Sequence, residues 1–437
     1  MKKQKRLSLF RLSSKDFTPL NIFWFGFLIY ALGFVINTTN HVNTVIFRLV
    51  QAGGIILFLL TGAYLSKFKI KNSYLKTIFI IYCLWLFSVV CRGIRFDYAS
   101  LNEMFFGADY GLFIYFTPLI ILFPSNPSFY KKIFDAIVIF GIFFIIYDVL
   151  FIRDLLDRTG DTQEFIEHFG KSLSIPCGFI LLTYKYHSKK RIIFTGGVMI
   201  LTLLFSIYKA RRGLSSICLS ILMFSYLLYL INTKKKLLVF YLSFLIIFSG
   251  LIYVNSVFHI KKNGLFSFIA DKGNEDTRTG VELFFYDDMK TKDWIIGRGI
   301  NGEYFCPGVD ELDDYRVMIE TGYLQIILKG GIISLALYLL IAIPAVILGI
   351  FYSKNILSKA SAIWILISLI SLYPATVNTF SLAFLLVWVS IGICYSKKIR
   401  CLSDDTLKEL FDDSSESFEN TQLYFENKKL YVNKKVY

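Results

Sequence analysis

Twelve apolar stretches follow one another along the chain, at 20–36, 45–65, 75–91, 105–123, 133–152, 173–186, 192–208, 214–231, 237–258, 322–350, 360–375 and 379–395. Most are long enough to cross roughly 30 Å of hydrocarbon at about 1.5 Å per residue. Lipid offers the backbone no hydrogen-bond partners, so spanning runs of this kind must be helical. The pattern predicts an all-α polytopic membrane protein of about twelve transmembrane helices. The sixth stretch is short and contains Pro176, and the tenth is long enough to begin outside the membrane. The start, "MKKQKRLSLFRLSSKDF", is basic and then apolar like a signal peptide. No small-residue cleavage site follows, so 20–36 is read as a retained first span. No helical repeat or low-complexity segment is evident.

Composition agrees with lipid as the solvent. Hydrophobic residues make up 55% of the 437 and charged ones 18%, against about 25% charged in a soluble domain. Mean hydropathy is +0.57. In such a chain the net charge of +15 marks cytoplasmic loops rather than a nucleic-acid surface. With the N-terminus inside, the cytoplasmic segments hold 24 Lys/Arg and the short outer loops eight. Removing the sixth span would turn "YHSKKR" and "TKKK" outward, against the positive-inside rule. Both termini are therefore expected in the cytoplasm. The chain divides into a basic N-tail (1–19), nine spans (20–258), one large extracytoplasmic loop (259–321), three spans (322–395) and a cytoplasmic tail (396–437). The tail, rich in Ser, Asp and Glu, is expected to be solvated and partly disordered. Seven scattered cysteines and four distant histidines form no metal motif, and no cofactor is expected.

The turn "KARRG" at 209–213 places Lys209, Arg211 and Arg212 on the outer face, against the charge trend. These side chains either snorkel to headgroups or form an anion site, for which the planar fork of Arg suits phosphate oxygens. The 259–321 loop has 13 Asp/Glu against eight Lys/Arg, so the cationic character of the outer face is local. Within the loop, Arg278 stands among acidic residues ahead of a short interfacial helix around Val281–Phe285. Trp294 reads as an interfacial anchor, and Gly297 and Gly299 as turn residues. Glu320 falls just above the membrane and Lys329 about two turns deeper. Arg48 lies about one turn inside the second span. An ionisable residue in a span is a functional candidate. For Lys329 and Arg48 the alternative is snorkelling; for Glu320 it is a solvated helix start favoured by the dipole.

Together these features resemble the O-antigen and capsule repeat-unit polymerases, a superfamily that includes the O-antigen ligases. The resemblance rests on about twelve spans, cytoplasmic ends and one large outer loop before the last spans. Its motifs here are Arg212-Gly213 with Arg211, then Arg278, "GRG" at 297–299 and "ETGYLQIILKGGI" at 320–332. Where many relatives carry a His-Asn-type pair, this chain has Glu320-Thr321, which weakens the ligase alternative. The resemblance implies glycosyl transfer at the outer face of the bacterial plasma (inner) membrane, using oligosaccharide repeat units linked to undecaprenyl diphosphate. It also implies membrane lipids, a flippase and a chain-length regulator as partners. In that reading Arg211, Arg212, Arg278, Lys329 and Arg48 bind the diphosphate, and Glu320, or else Asp276, is the general base. The rival class is a flippase or other transporter of the same lipid-linked sugars, which should show internal repeats and discontinuous helices.

Overall fold

The computed structural model describes residues 19–37, 44–68, 70–107, 111–157, 165–233, 236, 278–308, 314–373 and 379–413. Among the described residues, seven helices are long and apolar enough to cross a membrane: Pro19–Asn37, Val45–Leu65, Ser73–Gly93, Phe129–Leu150, Lys189–Tyr208, Arg212–Asn232 and Gly322–Phe351. Shorter apolar helices cover Phe113–Leu122, Ile356–Ser371 and Leu382–Tyr395. The chain is a helical, multi-pass membrane protein. The ninth stretch, 237–258, lies outside the described residues, as do 259–277.

The helices begin where polar residues interrupt the apolar runs. Asn72, Asn126, Ser188, Asn355 and Ser381 each accept a hydrogen bond from the backbone N–H three residues on, which satisfies one of the orphan donors of a first turn. The core of the bundle is aromatic: Phe58, Phe113 and Phe380 meet with ring centroids 5.2–5.6 Å apart. Helices Pro19–Asn37 and Thr44–Leu65 cross at two glycines, where a Cβ on Gly54 would lie 2.7 Å from the Gly26 oxygen. Such close backbone approach is a common basis of helix association in lipid.

Three predicted spans differ from a single continuous helix. The stretch 105–123 is a helix Tyr98–Phe106, a break at Gly107, and a short helix that tightens into a 3-10 turn over Thr117–Leu122 at Pro118. A short helix from Phe165 leads into the sixth stretch through a π turn over Gly170–Ser174, in which the Ile175 N–H reaches the Gly170 oxygen at 3.0 Å. Pro176 follows that turn and has no N–H to offer a regular ladder. The tenth, Gly322–Phe351, is broken at Gly331 (φ 69°, ψ −179°).

Contacts sort the described residues into a loop end, which carries 209–213, 278–308 and 314–320, and an opposite tail end. At the tail end the acidic tail is ordered further than its composition predicts. Helix Asp404–Asp413 buries Leu407 and Phe411, and Phe411 packs against Phe134 and Tyr186. Asp404 accepts hydrogen bonds from Lys185, Tyr186 and the Ile356 N–H. The averaged acidity of 396–437 hides two apolar residues four apart, which form one helical stripe.

Candidate functional site

The break at Gly331 frees carbonyls at the loop end of a membrane helix, and each finds a donor. Arg298 N–H donates to the Leu328 oxygen (2.7 Å) and Gly299 N–H to the Lys329 oxygen (2.9 Å). The Trp85 indole donates to the Gly330 oxygen (3.0 Å). The "GRG" segment therefore threads between the broken helix and the end of helix Ser73–Gly93, where Ile300 N–H reaches the Val89 oxygen (3.2 Å). Only glycine fits this approach. Gly297 and Gly299 have φ of 71° and 88°, and a Cβ on Gly297 would sit 2.5 Å from Gly330 N. Arg92 closes the seam, donating to the Ile296 oxygen (2.8 Å) while its guanidinium lies over the Trp85 ring.

The loop has a small core of its own. Phe285, Met289, Tyr304, Cys306 and Ile319 pack on Leu324, Ile327 and Leu328 from the first half of the broken helix. Trp294, expected at the interface, packs edge-on to Phe285 and stacks on Tyr286. Arg298 holds the fold of the loop. Its guanidinium donates to Asp288, Asp293 and the carbonyls of Asp288 and Glu303. Burial works against its charge, and the two aspartates more than offset that, raising the guanidinium pKa.

Lys329 stands just before the break and is 5% exposed. Its ammonium donates to the Gly302 oxygen at 2.8 Å. The charges acting on it are the carboxylates of Glu303 and Glu103 and the guanidinium of Arg95, and Arg95 pairs with Glu303 at 2.5 Å. None of these three partners stands out in the sequence, because they reach Lys329 from three separate segments.

The turn at 209–213 divides its cations among three settings. Lys209, 2% exposed, donates to the backbone oxygens of Asp154 and Asp157; it caps the carbonyl end of helix Ile152–Leu156. Burial lowers its pKa, and the neighbouring aspartates partly counter that. Ala210 turns the chain at φ 53°. Arg211 is half-buried and pairs with Glu167 at 3.4 Å, and Glu167 also pairs with Lys171 at 2.7 Å. Burial alone would raise the Glu167 carboxyl; Lys171 and Arg211 together hold it below the usual range. Arg212 opens helix Arg212–Asn232 and is exposed.

Each cluster heads an apolar groove. One groove, about 70 Å³, runs from Lys329 past Gln325, Tyr82, Tyr115 and Tyr338. The other, also about 70 Å³, runs from Lys171 past Ser371, Thr379, Ile217 and Trp364. Phe384 lines both. A third, polar cleft of about 350 Å³ lies over the seam, lined by Arg92, Arg95, Arg298, Asn301, Glu303 and Tyr315.

Of the remaining predicted residues, Arg48 is half-buried in helix Thr44–Leu65, with its Nε buried and without a hydrogen-bond partner among the described residues. Glu320 is exposed just ahead of helix Gly322–Phe351. Arg278 begins helix Arg278–Asp288, and its side chain and Asp276 lie outside the described residues. One residue escaped the sequence reading altogether. Asp148, in helix Pro127–Leu150, is 4% exposed, and neither carboxyl oxygen has a hydrogen-bond partner among the described residues. The same rule that singles out Lys329, an ionisable residue inside a span, would have found it.

Compared with known proteins, the chain matches no protein-family model, no curated protein and no solved structure.

Proposed function

We propose that this chain polymerises oligosaccharide repeat units carried on undecaprenyl diphosphate, at the outer face of a bacterial plasma membrane, for O-antigen, capsule or exopolysaccharide. In this reading about twelve helices span the bilayer, both termini are cytoplasmic, and the loop end faces outward. The supporting observation is the pair of grooves that share Phe384, each headed by buried or half-buried cations: Lys171 and Arg211 on one side, Lys329 on the other. A polymerase must seat two lipid-linked substrates at once, a donor and an acceptor.

In the reaction a hydroxyl of the acceptor attacks the anomeric carbon of the donor. The bond from that carbon to the diphosphate oxygen breaks, and the undecaprenyl diphosphate leaves. Arg211, with Arg212 and, by the sequence motif, Arg278, stabilises the charge that develops on the leaving group. The hydroxyl proton passes to a carboxylate, Glu320 first and Asp276 second.

The helix break at Gly331 and the π turn at Gly170–Ser174 also favour a second reading, a flippase for the same lipid-linked sugars, since transporters build their sites from discontinuous helices. Polymer chain length separates residue roles within the first reading. Arg211→Lys and Arg212→Lys keep the charge and lose the fork. At matched expression each should cut turnover roughly a hundredfold and shorten surface glycan on gels. Glu320→Gln should do the same if Glu320 is the base. Full-length glycan from both arginine variants would remove the diphosphate clamp, and full-length glycan from Glu320→Gln would pass the role of base to Asp276.

A further inference from the structure

Lys329 sits where two spaces meet. Its side chain lines the apolar groove, and its ammonium bonds the oxygen of Gly302, which lines the polar cleft above. An ammonium carries three donors. One is used, and the ammonium makes no other hydrogen bond to the described protein atoms. A cation this buried, with donors to spare, is costly unless something pairs with it. Glu303 and Glu103 act on it through space, and Glu303 is already paired with Arg95.

The cleft above has the chemistry of a carbohydrate site. Its volume of about 350 Å³ falls in the range of small-molecule sites, roughly 300–1,000 Å³. Its wall mixes planar polar groups, Arg95, Asn301 and Glu303, with the half-exposed ring of Tyr315, which meets the exposed Phe305 ring at 5.6 Å. The Asn301 Nδ2 is buried and has no hydrogen-bond partner among the described residues. Aromatic faces pack on the C–H surface of a sugar ring, while amides, guanidinium and carboxylate groups bond its hydroxyls.

Resting on the polymerase reading, we propose that this groove, lysine and cleft form the site of the second, accepting lipid-linked substrate. The polyprenyl chain lies in the groove past Tyr82 and Tyr115, a phosphate of the headgroup takes the spare donors of Lys329, and the sugar fills the cleft at Arg95, Asn301 and Tyr315. The first substrate takes the groove under Lys171 and Arg211.

The test counts bound lipids. The purified full chain is placed in phosphatidylcholine nanodiscs, which add no net lipid charge, and dialysed to equilibrium against labelled geranylgeranyl diphosphate or inorganic pyrophosphate. The native chain should bind two geranylgeranyl diphosphates. Lys329→Met should bind one, Lys329→Arg should keep two, and pyrophosphate should bind at least tenfold more weakly because it has no chain for the groove. A second arm uses variants at the cleft, with the lipid count itself showing that the fold is intact. Lipid-linked oligosaccharide extracted from a strain lacking the protein should bind more tightly than geranylgeranyl diphosphate. Arg95→Ala combined with Asn301→Ala should erase that advantage and leave the count at two. One lipid per native chain, a count that Lys329→Met leaves unchanged, or equal binding of pyrophosphate would each overturn the site. These failures differ from failure of the polymerase reading, which would show as unchanged surface glycan in the deletion strain while two lipids still bind.

Discussion

Glu167 decides how much free charge the loop end presents beside the turn at 209–213. It ties Lys171 and Arg211 into one unit, so Arg211 arrives at the surface already oriented. The three side chains are each about a quarter exposed or less. Their coupling therefore belongs between a surface pair, worth up to about 1 kcal/mol, and a broken buried one, about 3–5 kcal/mol. The Glu167 carboxyl titrates lower in the folded protein than its ordinary value, which is about 4.3 in the unfolded chain. Its stabilisation is thus complete above that ordinary value and disappears as pH falls through the lower, folded one. Glu167→Gln should lower the thermal midpoint at pH 7 by an amount equivalent to about 1–2 kcal/mol. The gap from native protein should close on acidification below about pH 4. A gap that stays constant from pH 7 to pH 3 would mean that the carboxylate charge contributes nothing to the cluster.

At the scale of elements, the break in helix Gly322–Phe351 and the "GRG" segment form a single joint. A Cβ on Gly331 would lie 2.0 Å from the Ile295 oxygen, and the residue's φ of 69° is itself unfavourable for a side chain. Gly331→Ala should cost at least about 2 kcal/mol and separate the loop from the bundle, read as a lower thermal midpoint and faster proteolysis between 278 and 320. Gly392 provides the contrast, since it lies in helix Leu382–Tyr395 and a Cβ there would meet no described atom within 4 Å. Gly392→Ala should be neutral or stabilising by up to about 1 kcal/mol. Equal effects at the two positions would contradict the joint. Much of this architecture was legible in the chain. Hydropathy located the seven long apolar helices because hydrocarbon leaves the backbone no alternative, and Gly297 and Gly299 of "GRG" read as turn residues. That this segment interlocks with the broken helix was not legible, since the two halves meet through backbone atoms some thirty residues apart. Glu103, Glu303 and Arg95 were missed for a related reason: on their own segments they read as solvated charges, and only the fold brings them to Lys329.

On the scale of the whole molecule, the two ends carry different chemistry. The tail end is stitched by the acidic helix Asp404–Asp413 to Lys185, Tyr186 and Lys131. The loop end carries the buried or half-buried cations Lys171, Arg211 and Lys329 beside the two grooves, and a small loop core packed on the first half of helix Gly322–Phe351. That polarity suits a protein whose substrates arrive from one face of a membrane, and the two grooves suit a reaction between two lipid-borne partners. The most direct measurement is the surface glycan of a strain from which this protein has been deleted. Repeat units should still be assembled and exported, so single units should remain at the surface with the ladder of longer chains gone, restored by the native protein. Loss of every exported unit would identify a flippase instead, and an unchanged ladder would contradict a role in polymer synthesis.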